Sequence, residues 1–494
     1  MYNDRILCDK YLSKVVTADE AAQLVKDGMT IGMSGFTPAG HAKAVPLAIA
    51  KRAEQGEQLH LTVMTGASVG DEIDGAMCRA GFIAKRLPYQ THTDMRNAIN
   101  AGQVDFIDVH LSQMPNWVKS GYMGPLDIAI VEISGIDAEG HLIPSTSIGA
   151  ANTYIDCAKQ VILEVNTTQS RALAGLHDIY TVERVPHSLP IPIVHANDRI
   201  GTPYYPCDFD KIAAIVISDI PDHGRDVVPT DDISQRIADN IVEFLKNETA
   251  AGRLPSPLPP LQSGVGSVAN AVLSGLKKSE FTDLTVYSEV LQDAVFELID
   301  AGKISFASGT SLTISPALQA RFYQNFESYR DKIMLRPQEI SNHPEVIRRL
   351  GIIAMNTAIE ADIYGNTNSS HISGTRLMNG IGGSGDFAQN AGLSIFMTPS
   401  TAKNGTLSCI VPFVTHVDHT EHDIHVLVTE YGAADLRMLA PRERALKIIN
   451  TCAHPDFRPE LLDYLERATA CGGKCLQTPH ILGEVFNKKV RTDK

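Results

Sequence analysis

Glu289 has the clearest chemical prospect in this chain of 494 residues. It stands in YSEVLQDAVFELIDAG, Tyr287 to Gly302, after the apolar run LTV and before Leu291, Val295, Leu298 and Ile299, which recur at helical spacing. The pattern places it at the carboxyl end of a strand where a helix begins, the edge at which open α/β sheets bind ligands. It is either a first-turn acid that complements the helix dipole or a carboxylate that carries chemistry. Two glycine-rich stretches offer a complement to such a carboxylate, backbone N–H groups that receive an anion. QSGVGSVANAV, Gln262 to Val272, sets Gly264 and Gly266 at GxG spacing before a helix start. MNGIGGSGDF, Met378 to Phe387, holds four glycines that let the backbone approach a ligand and aim successive amides into one place. A plain tight turn and a flexible surface loop are the respective alternatives, and both stay open on sequence alone.

Gly264 and Gly266, followed by Glu289 at about the interval of an acidic ribose ligand, also fit a dinucleotide-binding fold. That mechanism needs a strand feeding the first glycine. The feeder here is LPSPLPPLQ, whose prolines argue against a central parallel strand, so an NAD-dependent oxidoreductase is kept only as the alternative from a different class. HVDHTEHDIH spaces His416, His419, His422 and His425 three residues apart. Its flanks, IVPFV and IHVLV, look like strands, so the imidazoles should splay around a polar turn and no metal is expected. Cys471 and Cys475 in CGGKC have no second pair nearby to complete a zinc site. GxSxG and HExxH are absent, which removes support for serine-hydrolase and zincin chemistry.

The elements that must position these residues read as two α/β domains. The length exceeds one ordinary core. MTIGMSGFTPAG reads as a strand running into a glycine-rich turn, Gly35 to Gly40, and further buried-type strands are expected at Leu59 to Met64, Val104 to Val109, Leu126 to Ile133, Gln160 to Val165 and Lys211 to Ser218. They are separated by helical patterns, the signature of largely parallel sheets. Thr17 and Glu20 form a capping box for a short first helix, which Gly28 ends. After Ile220 the texture changes; Ile233, Ile237, Ile241 and Leu245 mark one face of a helix, and a proline-rich segment follows. The junction falls there, giving residues 1–220 and 221–494 with a shared cleft. The second half repeats the theme.

Composition narrows the partners. A net charge of −14 argues against nucleic acid or anionic membrane, though not against a local cationic pocket. No apolar run approaches the roughly 20 residues that span a bilayer, and MYNDRILCDKYLSK has no apolar h-region, so a cytoplasmic protein is expected. Eight scattered cysteines suit reduced, mostly buried thiols.

GFTPAG, QSGVGSVANAV, YSEVLQD, LRPQEISNHPEVIRRLGIIAMNTAIEADIYGN, MNGIGGSGDF and HVDHTEHDIHVLVTEYGAADLR occur in this order over essentially the whole chain. Together they resemble the acetyl-CoA hydrolase/transferase family, a branch of the class I CoA-transferases that includes succinyl-CoA:acetate and propionyl-CoA:succinate CoA-transferases. The resemblance implies two open α/β domains with the active site in the interdomain cleft. It implies Glu289 as nucleophile, and Asn342 and Gly383 as oxyanion donors. It also implies contacts to CoA from the loop Gln262, Ser263, Gly264, Val265, Gly266, Ser267 and Val268, from the neighbourhoods of Ile359 and Asn379, from Gly383, and from Lys403. Ser267 stands where many relatives are expected to carry asparagine, and GFTPAG is expected to close over the acyl group. The implied reaction moves CoA between an acyl-CoA (succinyl, acetyl or propionyl) and a small carboxylate, with hydrolysis as the alternative. CoA enters as substrate, no metal or prosthetic group is needed, and a homodimer is expected. Asn342 reads as part of an exposed polar loop between IMLRP and the helix near Pro344, where truncation should cost little stability.

Overall fold

A computed structural model describes residues 4–186, 188–224, 229–471 and 476–481. The first sheet is built from β1 (Thr30–Met33), β2 (Leu61–Met64), β3 (Ile83–Leu87), β4 (Asp105–Phe106), β5 (Ile128–Ile136), β6 (Leu142–Pro144), β7 (Gln160–Asn166) and β8 (Ile212–Ser218). Its order is β4-β3-β2-β1-β5-β7-β8, parallel throughout, with β6 antiparallel on β5. β5 is buried at every position, as the continuous apolar run IAIV predicts for a strand covered on both faces.

The second sheet comprises β9 (Leu261–Ser263), β10 (Leu284–Tyr287), β11 (Ile304–Gly309), β12 (Ile333–Leu335), β13 (Ile353–Thr357), β14 (Leu393–Met397), β15 (Val426–Thr429) and β16 (Gly432–Asp435). Its order is β12-β11-β10-β9-β13-β14-β15-β16, and only the edge strand β16 is antiparallel. The two halves thus share one winding: a central strand, β1 or β9, flanked by the strand that follows it and by the one after the reversal, β5 or β13. Ligands bind at such reversals. Both reversals open into the same cavity, lined by Phe36 and Thr37 from the first half and by Ser263, Gly264 and Asn356 from the second, and one hydrophobic cluster runs through both halves. Backbone bonds also join them, Ile148 N to Thr310 O at 2.9 Å and Gln338 N to Gly149 O at 2.9 Å. Lys119 and Glu339 add a buried ion pair at 2.6 Å across the boundary.

Several expectations need correcting. β9 is a central strand despite the prolines before it. They stop at Pro260, whose carbonyl accepts the Ile353 N–H at 3.0 Å, so no ladder donor is lost inside the three-residue strand. A strand does therefore feed Gly264, and the objection raised against a dinucleotide site falls. Glu289 is not in a helical first turn. A short strand, Val290–Leu291, pairs with Ser311–Leu312 immediately after it, and the helix begins only at Asp293, which is the true first-turn acid. The capping box of Thr17 and Glu20 is present, but its helix ends at Ala22 rather than near Gly28. The helix Asp232–Ala250 buries Ile237, Ile241 and Leu245, while Ile233 is exposed. Of the six described free cysteines only Cys409 and Cys452 are buried; the other four are half-buried. Among the described residues no helix is long and apolar enough to cross a membrane.

Candidate active site

The carboxyl edges of the two sheets enclose a cavity of about 270 Å³. From the first half it is lined by Phe36 and Thr37 after β1, Ala67 after β2 and Tyr89 after β3. The second half contributes Ser263 to Val265 at the end of β9, Glu289 and Val290 after β10, and Asn356 and Thr357 at the end of β13. Glu289 occupies the gap between β10 and the short strand Val290–Leu291, and its carbonyl accepts the N–H groups of Thr310 at 2.7 Å and Ser311 at 3.1 Å. Its backbone is fixed while its side chain faces the cavity. Protein surrounds the carboxyl group on its other sides, and that burial pushes it up to about 7, although a hydrogen bond from Asn342 works in the opposite direction.

Asn342 is completely buried, not part of an exposed loop. It caps the short helix Gln338–Ser341, and its Nδ2 lies 2.9 Å from Glu289 Oε1 and 3.3 Å from Asp386 Oδ2. The segment RPQEISN is polar because it meets buried partners. The Arg336 guanidinium, wholly buried, is paired with Asp178 and donates to Ser308 Oγ at 2.9 Å, and Gln338 Nε2 donates to Leu111 O at 3.0 Å. Truncating Asn342 therefore touches the interior, and the expectation of little cost to stability is withdrawn.

The glycine run passes directly against the carboxylate. A Cβ on Gly383 would lie 1.5 Å from Glu289 Oε1 and 2.3 Å from Asn342 Nδ2, so no other residue fits there. The run is not a flexible surface loop, because the first half clamps it. Ile381 N donates to both oxygens of Asp108 at 3.0 Å, Arg96 Nε to Met378 O at 2.7 Å, and Asn379 Nδ2 to Tyr89 Oη at 3.3 Å. Burial pushes Asp108 up to about 6. Asp386, three residues beyond Gly383, is buried, accepts from Ser112 N at 3.0 Å and Ser112 Oγ at 2.6 Å, and is pushed up to about 7 chiefly by burial, with Glu289 adding to the effect. Two carboxyls that share one amide, inside a desolvated site, are the arrangement in which carboxylates become reactive near neutrality.

The structure does not gather every residue expected at the site. Ser263, Gly264, Val265, Asn379 and Gly383 line the cavity. Gly266, exposed with φ +124°, is not part of the cavity wall, and Ser267 and Val268 form the first turn of the helix after it. Ser267 Oγ accepts from Ser234 Oγ at 3.3 Å. Gln262 is buried in the sheet, where Nε2 donates to Asn356 Oδ1 at 3.1 Å and Oε1 accepts from Met355 N at 3.1 Å. It packs behind the cavity. Ile359, whose N–H bonds to Asn368 O at 2.8 Å, and Lys403, exposed in the turn of the hairpin Thr401–Ala402 and Leu407–Ser408, are not part of the cavity wall. From GFTPAG, Phe36 and Thr37 reach the cavity, and Thr37 Oγ1 lies 3.1 Å from Ser311 Oγ.

The four histidines of HVDHTEHDIH do splay. His419 is buried with Nε2 3.0 Å from Ser384 Oγ, His416 lies 3.2 Å from Asp418, His425 Nδ1 accepts from Ser394 N at 3.1 Å, and His422 is exposed. Cys475 and the Cys471 side chain lie outside the described residues. Sequence reasoning passed over Asp386, Ser112, Tyr89 and Ser384. Asp386 is visible inside GSGDF, but only the fold brings Ser112 to it, and Tyr89 to Asn379, from the other half.

Comparison with known proteins bears on the whole chain. Residues 3–225 match the acetyl-CoA hydrolase/transferase N-terminal domain and residues 319–465 its C-terminal domain. The chain is 50% identical over 479 residues, 97% of its length and 89% of the relative's, to a succinyl-CoA:acetate CoA-transferase from Clostridium kluyveri. It is 42% identical over 511 residues, 99% of this chain and 97% of the relative, to an acetyl-CoA hydrolase from Schizosaccharomyces pombe. The fold is shared with the crystal structure of RipA from Yersinia pestis, with a TM-score of 0.72 and 24% identity over 92% of this chain and 98% of that one.

Proposed function

Because the chain belongs to the acetyl-CoA hydrolase/transferase family, we propose that it transfers CoA from a small acyl-CoA to a small carboxylate through a thioester on Glu289. The observation that carries this reading is the Glu289 carboxylate in the interdomain cavity, touched by the Asn342 amide and with Gly383 against it. A carboxylate oxygen attacks the thioester carbonyl carbon, the C–S bond breaks, and CoA leaves as thiolate, giving a mixed anhydride. The thiolate then attacks the glutamyl carbonyl carbon and expels the acyl group as a free carboxylate, which leaves a glutamyl-CoA thioester. A second carboxylate reverses both steps, and Glu289 is regenerated without net proton transfer. Each attack creates an oxyanion. Preorganised donors, the Asn342 amide and the Gly383 N–H, lower the energy of such a state most in a desolvated site. The backbone from Ser263 to Gly266, Asn379 and the first turn at Ser267 and Val268 would receive CoA, with Ile359 and Lys403 farther out.

The oxidoreductase alternative loses its support from the family match. Hydrolysis is the second reading, favoured by relatives that carry that name. It requires water to attack the same acyl-glutamyl carbon. Transfer is preferred because the relative at 50% identity over 97% of this chain carries a transferase name, and because hydrolysis would further need a base for water, which the Asn342 amide on Glu289 cannot be. Succinyl-CoA is expected to be converted to acetyl-CoA only when acetate is added, and acetyl-CoA to succinyl-CoA only when succinate is added, with ping-pong kinetics and little free CoA in either case. Sustained release of free CoA without any acceptor, with no new acyl-CoA formed when acetate or succinate is added, would establish the hydrolase instead.

A further inference from the structure

We infer that Asp386 is a positioning residue that keeps the Asn342 amide turned toward the reacting carbonyl once Glu289 has lost its charge. The inference rests on the function proposed above. Asn342 has two N–H hydrogens and two carboxylate neighbours, Glu289 at 2.9 Å and Asp386 at 3.3 Å. Its own Oδ1 is buried and has no hydrogen-bond partner, so nothing on the oxygen side of the amide fixes its orientation. Rotating the amide by half a turn would aim that oxygen at two carboxylates, which like charge and lost hydrogen bonds both oppose. In the free enzyme the orientation is therefore fixed twice over.

The situation changes during the reaction. In the anhydride and in the thioester Glu289 is a neutral acyl group, and its carbonyl oxygen is the place where negative charge develops. Of the two carboxylates, only Asp386 then remains to hold the amide. Asp386 is suited to this. It is 4% exposed, and it is itself held by two donors from one residue of the other half, Ser112 N at 3.0 Å and Ser112 Oγ at 2.6 Å. His110 Nδ1 is 3.8 Å from Asp386 Oδ1, the oxygen that Ser112 Oγ also meets. Ser112 thus sets the position of an oxyanion donor in the opposite domain without approaching the substrate.

The test is a cycle of Asp386→Asn and Asn342→Ala, singly and together, with single-turnover formation and consumption of the glutamyl-CoA thioester measured well above pH 7, CoA affinity by calorimetry, and thermal unfolding. Asp386→Asn is expected to slow consumption by roughly ten- to thirtyfold, less than the ~10²- to 10³-fold of losing the donor itself. Thioester formation should slow less, because Glu289 is still charged as the first attack begins. CoA affinity should change little, and in the Asn342→Ala background the same substitution should add almost nothing. Should Asp386→Asn fail to fold, Ser112→Ala serves as the second variant, with a smaller slowing that again vanishes beside Asn342→Ala. Equal slowing in both backgrounds would show that Asp386 acts independently of Asn342 and overturn the inference. Absence of any thioester in the unaltered enzyme would instead overturn the reading beneath it.

Discussion

Replacing Glu289 with glutamine is expected to lower kcat by roughly 10⁴-fold or more, the scale seen when a covalent nucleophile is removed. The amide has nearly the shape of the carboxyl and can still accept from Asn342, so the cavity should keep its form. It has no oxygen capable of displacing a thiolate. The same substitution should stabilise the fold above neutral pH, and the sign can be worked out. A carboxyl held at about 7 in the fold against an ordinary 4.5 makes the native state bind the extra proton between those values. The stability of the unaltered protein therefore falls as pH rises through that window, and the deficit is complete above pH 7. Glutamine carries no such deficit, and a gain of roughly 1–3 kcal/mol follows for the variant there, with no gain below pH 4.5. Activity assays and denaturation at both ends of the window separate the two effects. A variant that keeps measurable turnover, or that melts earlier at every pH, would contradict them.

Asn342→Ala carries the second-largest effect, a fall of about 10²- to 10³-fold in kcat and kcat/KM together with little change in CoA affinity. Because Asn342 is fully buried, this variant should also lose stability, by about 1–3 kcal/mol. It should further change the pH profile. The nucleophile must be ionised, so kcat/KM of the unaltered enzyme should decline as pH drops through about 7. Removing the amide takes away a donor that favours ionised Glu289, and the midpoint should move upward. A variant with unchanged kcat, or with an unmoved profile and a defect confined to CoA binding, would show that the amide only fills space.

The sequence carried a good part of this arrangement, and what it hid has physical causes. Runs such as IAIV, apolar on both faces, mark strands covered by helices on each side, which is why the parallel sheets could be read. The strand end at Glu289 was legible for the same reason. Its helical context was misread because Leu291, which fits the periodicity of the helix from Asp293, belongs to a two-residue strand paired with Ser311–Leu312. The prolines before Leu261 were misleading because a central strand can be three residues long and start just after them. The burial of Asn342 was invisible for a different reason. Polarity usually signals solvent, and the groups that satisfy RPQEISN come from far along the chain, Asp178 for Arg336 and Leu111 for Gln338. The roles of Asn342 and Gly383 came from family resemblance alone, since no local periodicity shows that a glycine will stand where a Cβ would strike the carboxylate.

The central claim is that Glu289 becomes covalently bonded to CoA, and the mass of the protein after exposure to acyl-CoA without an acceptor tests it most directly. The expected result is a CoA adduct on the peptide containing YSEVLQD, lost on adding acetate or succinate and absent from the Glu289→Gln variant. An unmodified enzyme that nonetheless turns over, or an adduct carried by a cysteine, would contradict the account.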